Sequence, residues 1–142
     1  MNVSRQEQDI LPVQSRGRGF YDVTGEICDW VGATRIGTGL LTLFLRHTSA
    51  SLTIQENADP DVRADLADYL AEIAPEDPAR YRHGIEGPDD MPAHIRTMLT
   101  QTSLSIPVGG GRPLLGTWQG IYLIEHRRAP HRREIVLHLL GD

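Results

Sequence analysis

Lysine is absent from this 142-residue chain; all 14 basic side chains are arginine. Lysine Schiff bases and amine nucleophiles are therefore excluded. What remains is a planar fork suited to bidentate contacts with phosphate or carboxylate. The single cysteine, Cys28, excludes an intrachain disulfide. It falls on the expected inner face of a helix with no activating base nearby, so it reads as a small buried side chain rather than a nucleophile. No apolar run approaches the roughly 18 residues of a membrane span; the longest strong one is Leu40-Leu41-Thr42-Leu43-Phe44-Leu45. The first residues, Met1 to Glu7, carry no apolar signal core, so a cytoplasmic location is expected. A glycine-rich nucleotide loop, a serine triad motif and a CxxC pair are also missing. The chain is too short for a (β/α)₈ barrel of about 250 residues. Its net charge of −5 argues against broad, salt-driven binding to nucleic acid.

What is present fits one domain, residues 1–142, with 39% hydrophobic content around a single core. Residues 3–13 predict a polar-rich strand, broken by Gly17 and Gly19. Val23, Ile27, Trp30 and Val31 recur at helical spacing, with Asp22 or Thr24 as cap. Residues 39–47 predict a central strand covered on both faces, since both of its faces are apolar. Ser51–Gln55 predicts another strand, and Asp59-Pro60 opens a helix that runs to about residue 74. A loop rich in proline, glycine and acids fills 75–90. Pro92 starts a further helix, with Ile95, Met98 and Leu99 facing inward. Strands follow at 103–107, 113–116, 119–126 and 134–140, with Gly109-Gly110-Gly111 as a turn. Strands and helices are grouped rather than alternating. The expectation is α+β: a largely antiparallel sheet or sandwich core with two main helices.

Three histidines stand in separate contexts. His47 follows a strand, His83 lies in the acidic loop, and His94 falls in the first turn of a helix. Catalytic metal sites often use three protein ligands and leave a position for water or substrate. The positive helix end would favour a neutral His94 ring and a bound anion nearby. Asp89 and Asp90 precede that helix; one suits a cap, the other a cation or a histidine. Asp59 has a job as N-cap, whereas Glu56 and Asn57 have none so obvious. Glu56 suits a general base, a tautomer-fixing partner, or plain solvent exposure. Trp118, between Gly116 and Gly120, suits stacking on a flat heteroaromatic ring or anchoring a core. Glu125 ends an apolar strand, where a carboxylate needs a partner. Arg127, Arg128, Arg132 and Arg133 flank a turn and could clamp phosphate, although Arg128 and Arg132 read better as solvated. His126, His131 and His138 read as surface or interface residues.

Three segments carry a resemblance. His47-Thr48-Ser49-Ala50-Ser51-Leu52-Thr53-Ile54-Gln55-Glu56-Asn57-Ala58-Asp59-Pro60-Asp61-Val62-Arg63 resembles the signature of the YjbQ family. So do Gly87-Pro88-Asp89-Asp90-Met91-Pro92-Ala93-His94-Ile95 and Leu115-Gly116-Thr117-Trp118-Gln119-Gly120-Ile121, and with Glu125-His126-Arg127 the likeness spans nearly the whole chain. The resemblance implies a small α+β protein that assembles as a homotrimer, with a histidine site thought to hold a metal. It implies secondary thiamine-phosphate synthase activity, joining an activated pyrimidine diphosphate to a thiazole phosphate and releasing pyrophosphate. It puts His47, His83 and His94 in the role of metal ligands, and Glu56, Asn57 and Glu125 in the catalytic group. Ser49, Trp118, Gln119, Arg127 and Arg133 become the substrate-binding set.

Diphosphate chemistry usually employs magnesium on oxygen ligands, whereas a histidine site favours a zinc-like divalent metal. Two other readings therefore stand beside the transferase. One is a metal-dependent hydrolase or lyase of phosphorylated metabolites, with a metal-activated water as nucleophile. The other is a non-enzymatic metal- or metabolite-binding trimer. In each case the expected partners are small phosphorylated metabolites, with no nucleic acid and no membrane.

Overall fold

A computed structural model of the chain describes residues 4–142. In chain order the elements are β1 (Arg5–Gln14), β2 (Gly19–Asp22), α1 (Thr24–Thr34), β3 (Gly39–Leu45), β4 (Ala50–Glu56) and α2 (Pro60–Ile73). A 3₁₀ turn at Pro78–Arg80 leads to α3 (Asp90–Leu99), then β5 (Ser103–Gly109), β6 (Arg112–Pro113), β7 (Gln119–Glu125) and β8 (Arg132–Gly141). The strands form a five-stranded sheet in the order β1-β8-β3-β5-β6 and a three-stranded sheet in the order β2-β7-β4. All the pairings are antiparallel. The α+β fold read from grouped elements is what the chain adopts.

The two sheets enclose the core. Leu41, Leu43 and Leu45 of β3 alternate inward and meet Ile135, Leu137 and Leu139 of β8, while Leu52, Ile121 and Leu123 come from the smaller sheet. Ile27 and Val31 on the inner side of α1 complete it. Val23 holds the N-cap position of α1, and Asp22 accepts the Thr24 amide at 2.9 Å. Asp59 caps α2 by accepting the Asp61 amide, and Pro60 fits the first turn because its missing N–H needs no partner there. Gly39 and Gly141 pair across β3 and β8 so tightly that a Cβ on Gly39 would stand 2.4 Å from the Leu140 carbonyl.

Several expectations are corrected. Residue 3, at the start of the first predicted strand, lies outside the described residues. β3 is central but covered on one face only. Leu40 and Phe44 point away from the core, where they share an open sheet face with Ile10 and Leu140. A strand apolar on both faces does not reveal which face packs within the chain and which is left outside it. Met98 and Leu99 are exposed on α3; the buried side is Asp90, Pro92, Ala93 and Arg96. Polar partners rather than hydrophobicity orient this helix. α3 begins at Asp90, two residues before Pro92, which places His94 in the second turn. Cys28 is half-buried, because Ile27 and Val31 take the inner side of α1. The strand expected at 113–116 shrinks to Arg112–Pro113. No helix of the described residues is long and apolar enough to cross a membrane.

Candidate functional site

One end of the sandwich gathers the N-terminus of α3, the His83 loop, the crossing from β3 to β4 and the end of β7. His83 Nε2–H donates to Asp90 Oδ2 at 2.6 Å, and His94 Nε2 lies 3.0 Å from the same oxygen. Ligand atoms of His83, Asp90 and His94 all fall within 4.8 Å of one another. The tautomer of His94 follows from its other nitrogen. Nδ1 lies 2.9 Å from the Thr48 carbonyl, an acceptor only, so Nδ1 carries the hydrogen. Nε2 then turns a lone pair toward a carboxylate oxygen, and only a cation between them, a proton or a metal ion, makes that approach favourable. The donor set of two imidazoles and one carboxylate fits a transition metal.

Arg127 secures the carboxylates. Its Nε donates to Asp89 Oδ2 at 2.9 Å, its Nη1 lies 2.9 Å from Asp90 Oδ1, and its Nη2 donates to the Glu86 carbonyl. Asp90 Oδ2 is thereby left to the histidines. Burial pushes both aspartates up, but the Arg127 guanidinium and the bonds around them prevail. Asp89 is held at about 2, and Asp90 stays below the usual carboxylate range with His83 as its strongest counterweight. Arg127 is thus engaged with acids, which corrects its reading as a phosphate clamp.

His47 stands apart from this cluster. Its Nε2 accepts the Glu134 amide at 2.9 Å, so the hydrogen of the neutral ring is on Nδ1. Nδ1 faces Arg133 Nη1 at 3.5 Å, a separation that suits two donors turned toward one acceptor. Burial, followed by Arg133, lowers the His47 pKa and keeps the ring neutral. A ring whose one lone pair is already taken has none for a metal. Of the three histidines expected as ligands, His47 does not gather with the other two; Asp90 does. His47, Thr48, Ser49, Arg46, Thr102 and Arg133 instead line an open cleft of about 510 Å³. Thr48 joins the two features, because its carbonyl holds His94.

Glu125 and Arg133 are both buried. Arg133 donates from Nε and Nη2 to the Glu125 carboxylate and from Nη2 to the hydroxyl and carbonyl of Ser49. Glu125 also accepts the Ser15 hydroxyl at 2.6 Å and the Arg127 amide at 3.1 Å. Burial raises its pKa, but Arg133 and these donors outweigh burial and leave it lowered. With its oxygens so occupied, Glu125 positions Arg133 and Ser49 rather than facing the cleft. His126 corrects another reading. It is 1% exposed, lies 2.8 Å through Nε2 from the Ser51 hydroxyl, and has a pKa lowered to about 3 by burial and then by Arg96. His131 and His138 keep partial exposure.

The remaining predicted residues sit at the other end of the β4–β7 ladder, where Glu56 pairs with Gln119 while Ala50 pairs with Glu125. Six strand steps put about 20 Å between the two ends. There Glu56 accepts the Ala58 and Asp59 amides, the Asn57 amide donates to the Trp118 carbonyl, and Gln119 accepts the Gly116 amide. Trp118 is 62% exposed, so it anchors no core. Within one chain these residues do not meet the histidines. Sequence reasoning overlooked Ser15, Glu76 and Arg96. Arg96 had a readable signal, a three-residue spacing from Ala93 on the same side of α3.

A family model described as UPF0047 protein YjbQ-like matches residues 9–142. The chain belongs to this family. Among YjbQ-like relatives, it is 54% identical over 138 residues to a UPF0047 protein of Synechocystis sp., covering 97% of this chain and 94% of that one. It is 47% identical over 136 residues to UPF0047 protein YjbQ of Salmonella typhimurium, covering 95% and 98%. A conserved hypothetical protein of Thermus thermophilus superposes with a TM-score of 0.80 at 37% identity, covering 90% of this chain and 97% of that one. A YjbQ-like protein of unknown function from Sulfolobus solfataricus reaches 0.90 at 22% identity, over 99% and 100%, which supports the fold alone.

Proposed function

We propose that this chain is a divalent-metal enzyme acting on a small anionic metabolite, its ion held by His83, Asp90 and His94. The convergence of three ligand atoms within 4.8 Å carries the reading. Two imidazoles and a carboxylate favour a zinc-like ion over magnesium and leave coordination positions open. When bound, such an ion supplies Lewis-acid polarisation of a phosphoryl or carbonyl oxygen and lowers the pKa of water. The chain's own residues prepare the site. Thr48 fixes the His94 tautomer, Arg127 aims Asp90, and the Nδ1–H of His47 and Nη1 of Arg133 offer two donors to an anion at the cleft. Ser49 joins them there, its hydroxyl already turned toward Arg133. Phosphorylated metabolites match those donors, and hydrolysis or lysis needs no aromatic platform.

Thiamine-phosphate formation is the second reading. It rests on the family resemblance and on the same anion notch for the diphosphate. Its pyrimidine would need a flat surface, and Trp118 lies at the far end of β7. A neighbouring copy would have to bring that tryptophan, together with Gln119, Glu56 and Asn57. The open apolar face at Ile10, Leu40, Phe44 and Leu140 supports self-association, and the family resemblance supports a homotrimer as its form. Zinc titration by calorimetry with metal analysis tests the shared premise; one ion per chain, lost in His94→Ala and Asp90→Asn, is expected. A chain that takes up no stoichiometric metal overturns it. Turnover of phosphoesters favours the first reading, thiamine phosphate production the second. Zinc and ligand binding without turnover would reduce the protein to a binding trimer.

A further inference from the structure

Arg96, on the buried side of α3, is 5% exposed. One hydrogen bond reaches its guanidinium, from Nη2 to the Ala74 carbonyl at 3.3 Å, and among the described residues no acceptor meets Nε. Glu76, the acid nearest in charge, spends its carboxylate on Arg18 and Arg128. Arginine does not solve this by giving up its proton, and a buried charge demands a counterion. Burial and then the neighbouring Arg18 lower the Arg96 pKa, and Glu76 only partly opposes them.

The group lines a pocket of about 90 Å³ beneath α2, with Arg18, Arg96 and His126 on its polar side and Phe20, Leu70 and Ile124 on its apolar side. Glu125 is also in the wall, but its oxygens are committed to Ser15, Arg133 and the Arg127 amide. Phe20, Leu70 and Ile124 also wall an adjoining cavity of about 130 Å³ that extends to Leu66 and Thr53. The roof, α2, has no buried residue of its own. This pocket shares no wall residue with the cleft beside His47.

We propose that this pocket is a binding site for a small organic monocarboxylate, with its head on Arg96 and its hydrocarbon tail along Phe20, Leu70 and Ile124. A carboxylate matches the guanidinium fork bidentately. A phosphate dianion would lose water on oxygens that apolar walls cannot satisfy. The tail replaces contacts that α2 leaves unmade.

Titration of the full chain with acetate, butyrate, benzoate and inorganic phosphate, followed by calorimetry and thermal unfolding, tests the site. Butyrate and benzoate saturate and raise the Tm. Two extra methylenes make butyrate about tenfold tighter than acetate. Arg96→Met abolishes binding of every carboxylate. Leu70→Trp fills the apolar side and abolishes butyrate binding with Arg96 in place, which keeps the test decisive if Arg96→Met does not fold. The proposal is overturned if no carboxylate saturates, if phosphate binds as well as butyrate, or if butyrate affinity survives Leu70→Trp.

Discussion

Arg133 of β8 closes on Glu125 of β7, joining the two sheets eight residues apart in sequence, and both charged groups are shut off from solvent. The pair sets Ser49 and leaves Nη1 of Arg133 facing His47. A buried ion pair costs most when one partner is removed, because the other charge is left uncompensated. Glu125→Ala should lose about 3–5 kcal/mol in urea unfolding, while Glu125→Leu with Arg133→Met recovers much of that loss. A Glu125→Ala variant that keeps wild-type stability would return Glu125 to a directly catalytic role.

Metal affinity should separate the histidines. Asp90→Asn removes a ligand charge and lowers zinc affinity at least about a hundredfold, whereas Asp89→Asn, acting through Arg127, lowers it about 10–100-fold. His47→Gln leaves zinc stoichiometry intact and weakens only the binding of the anionic substrate. Calorimetry on the three variants checks the order; zinc loss in His47→Gln would restore the three-histidine set.

His126 makes stability fall with acid. The unfolded ring accepts its proton near 6.5, the folded ring only at about 3, because burial and Arg96 oppose the charge. Between those values the unfolded chain binds more protons, so stability rises with pH across that window and is full above 6.5. Below it, wild type should lose up to about 1.4 kcal/mol per pH unit more than His126→Gln. Urea unfolding at pH 7, 5.5 and 4.5 measures the difference in slope, and parallel slopes would contradict a buried neutral ring.

The open sheet face predicts assembly. Phe44 is 47% exposed on the outer face of β3, which it shares with Leu40 of the same strand, Leu140 of β8 and Ile10 of β1. Phe44→Glu should convert a trimer into a folded monomer, with circular dichroism unchanged and sedimentation reporting one third of the mass. A wild-type chain that sediments as a monomer removes self-association from the functional reading.

Much of the architecture was legible in the residues. A run apolar on both faces marked β3, the Asp59-Pro60 pair marked the start of α2, and the glycines at 109–111 marked the turn into β6. Helix orientation was less legible where polar groups did the orienting. On α3 the apolar Met98 and Leu99 point to the wrong inner face, because Asp90 is turned inward by His83, His94 and Arg127, and Arg96 by the Ala74 carbonyl 22 residues away, none of which apolar periodicity registers.

His83 and His94 were visible as candidates because imidazoles near acids are recognisable in one dimension, and the motifs around His47, Trp118 and Glu125 revealed the family. Roles needed three dimensions. Which nitrogen carries a hydrogen depends on the carbonyl or amide folded against it: the Thr48 carbonyl leaves the lone pair of His94 on Nε2, facing Asp90, and the Glu134 amide takes up that of His47. Chain order supplies the imidazoles; only the fold decides where their lone pairs point.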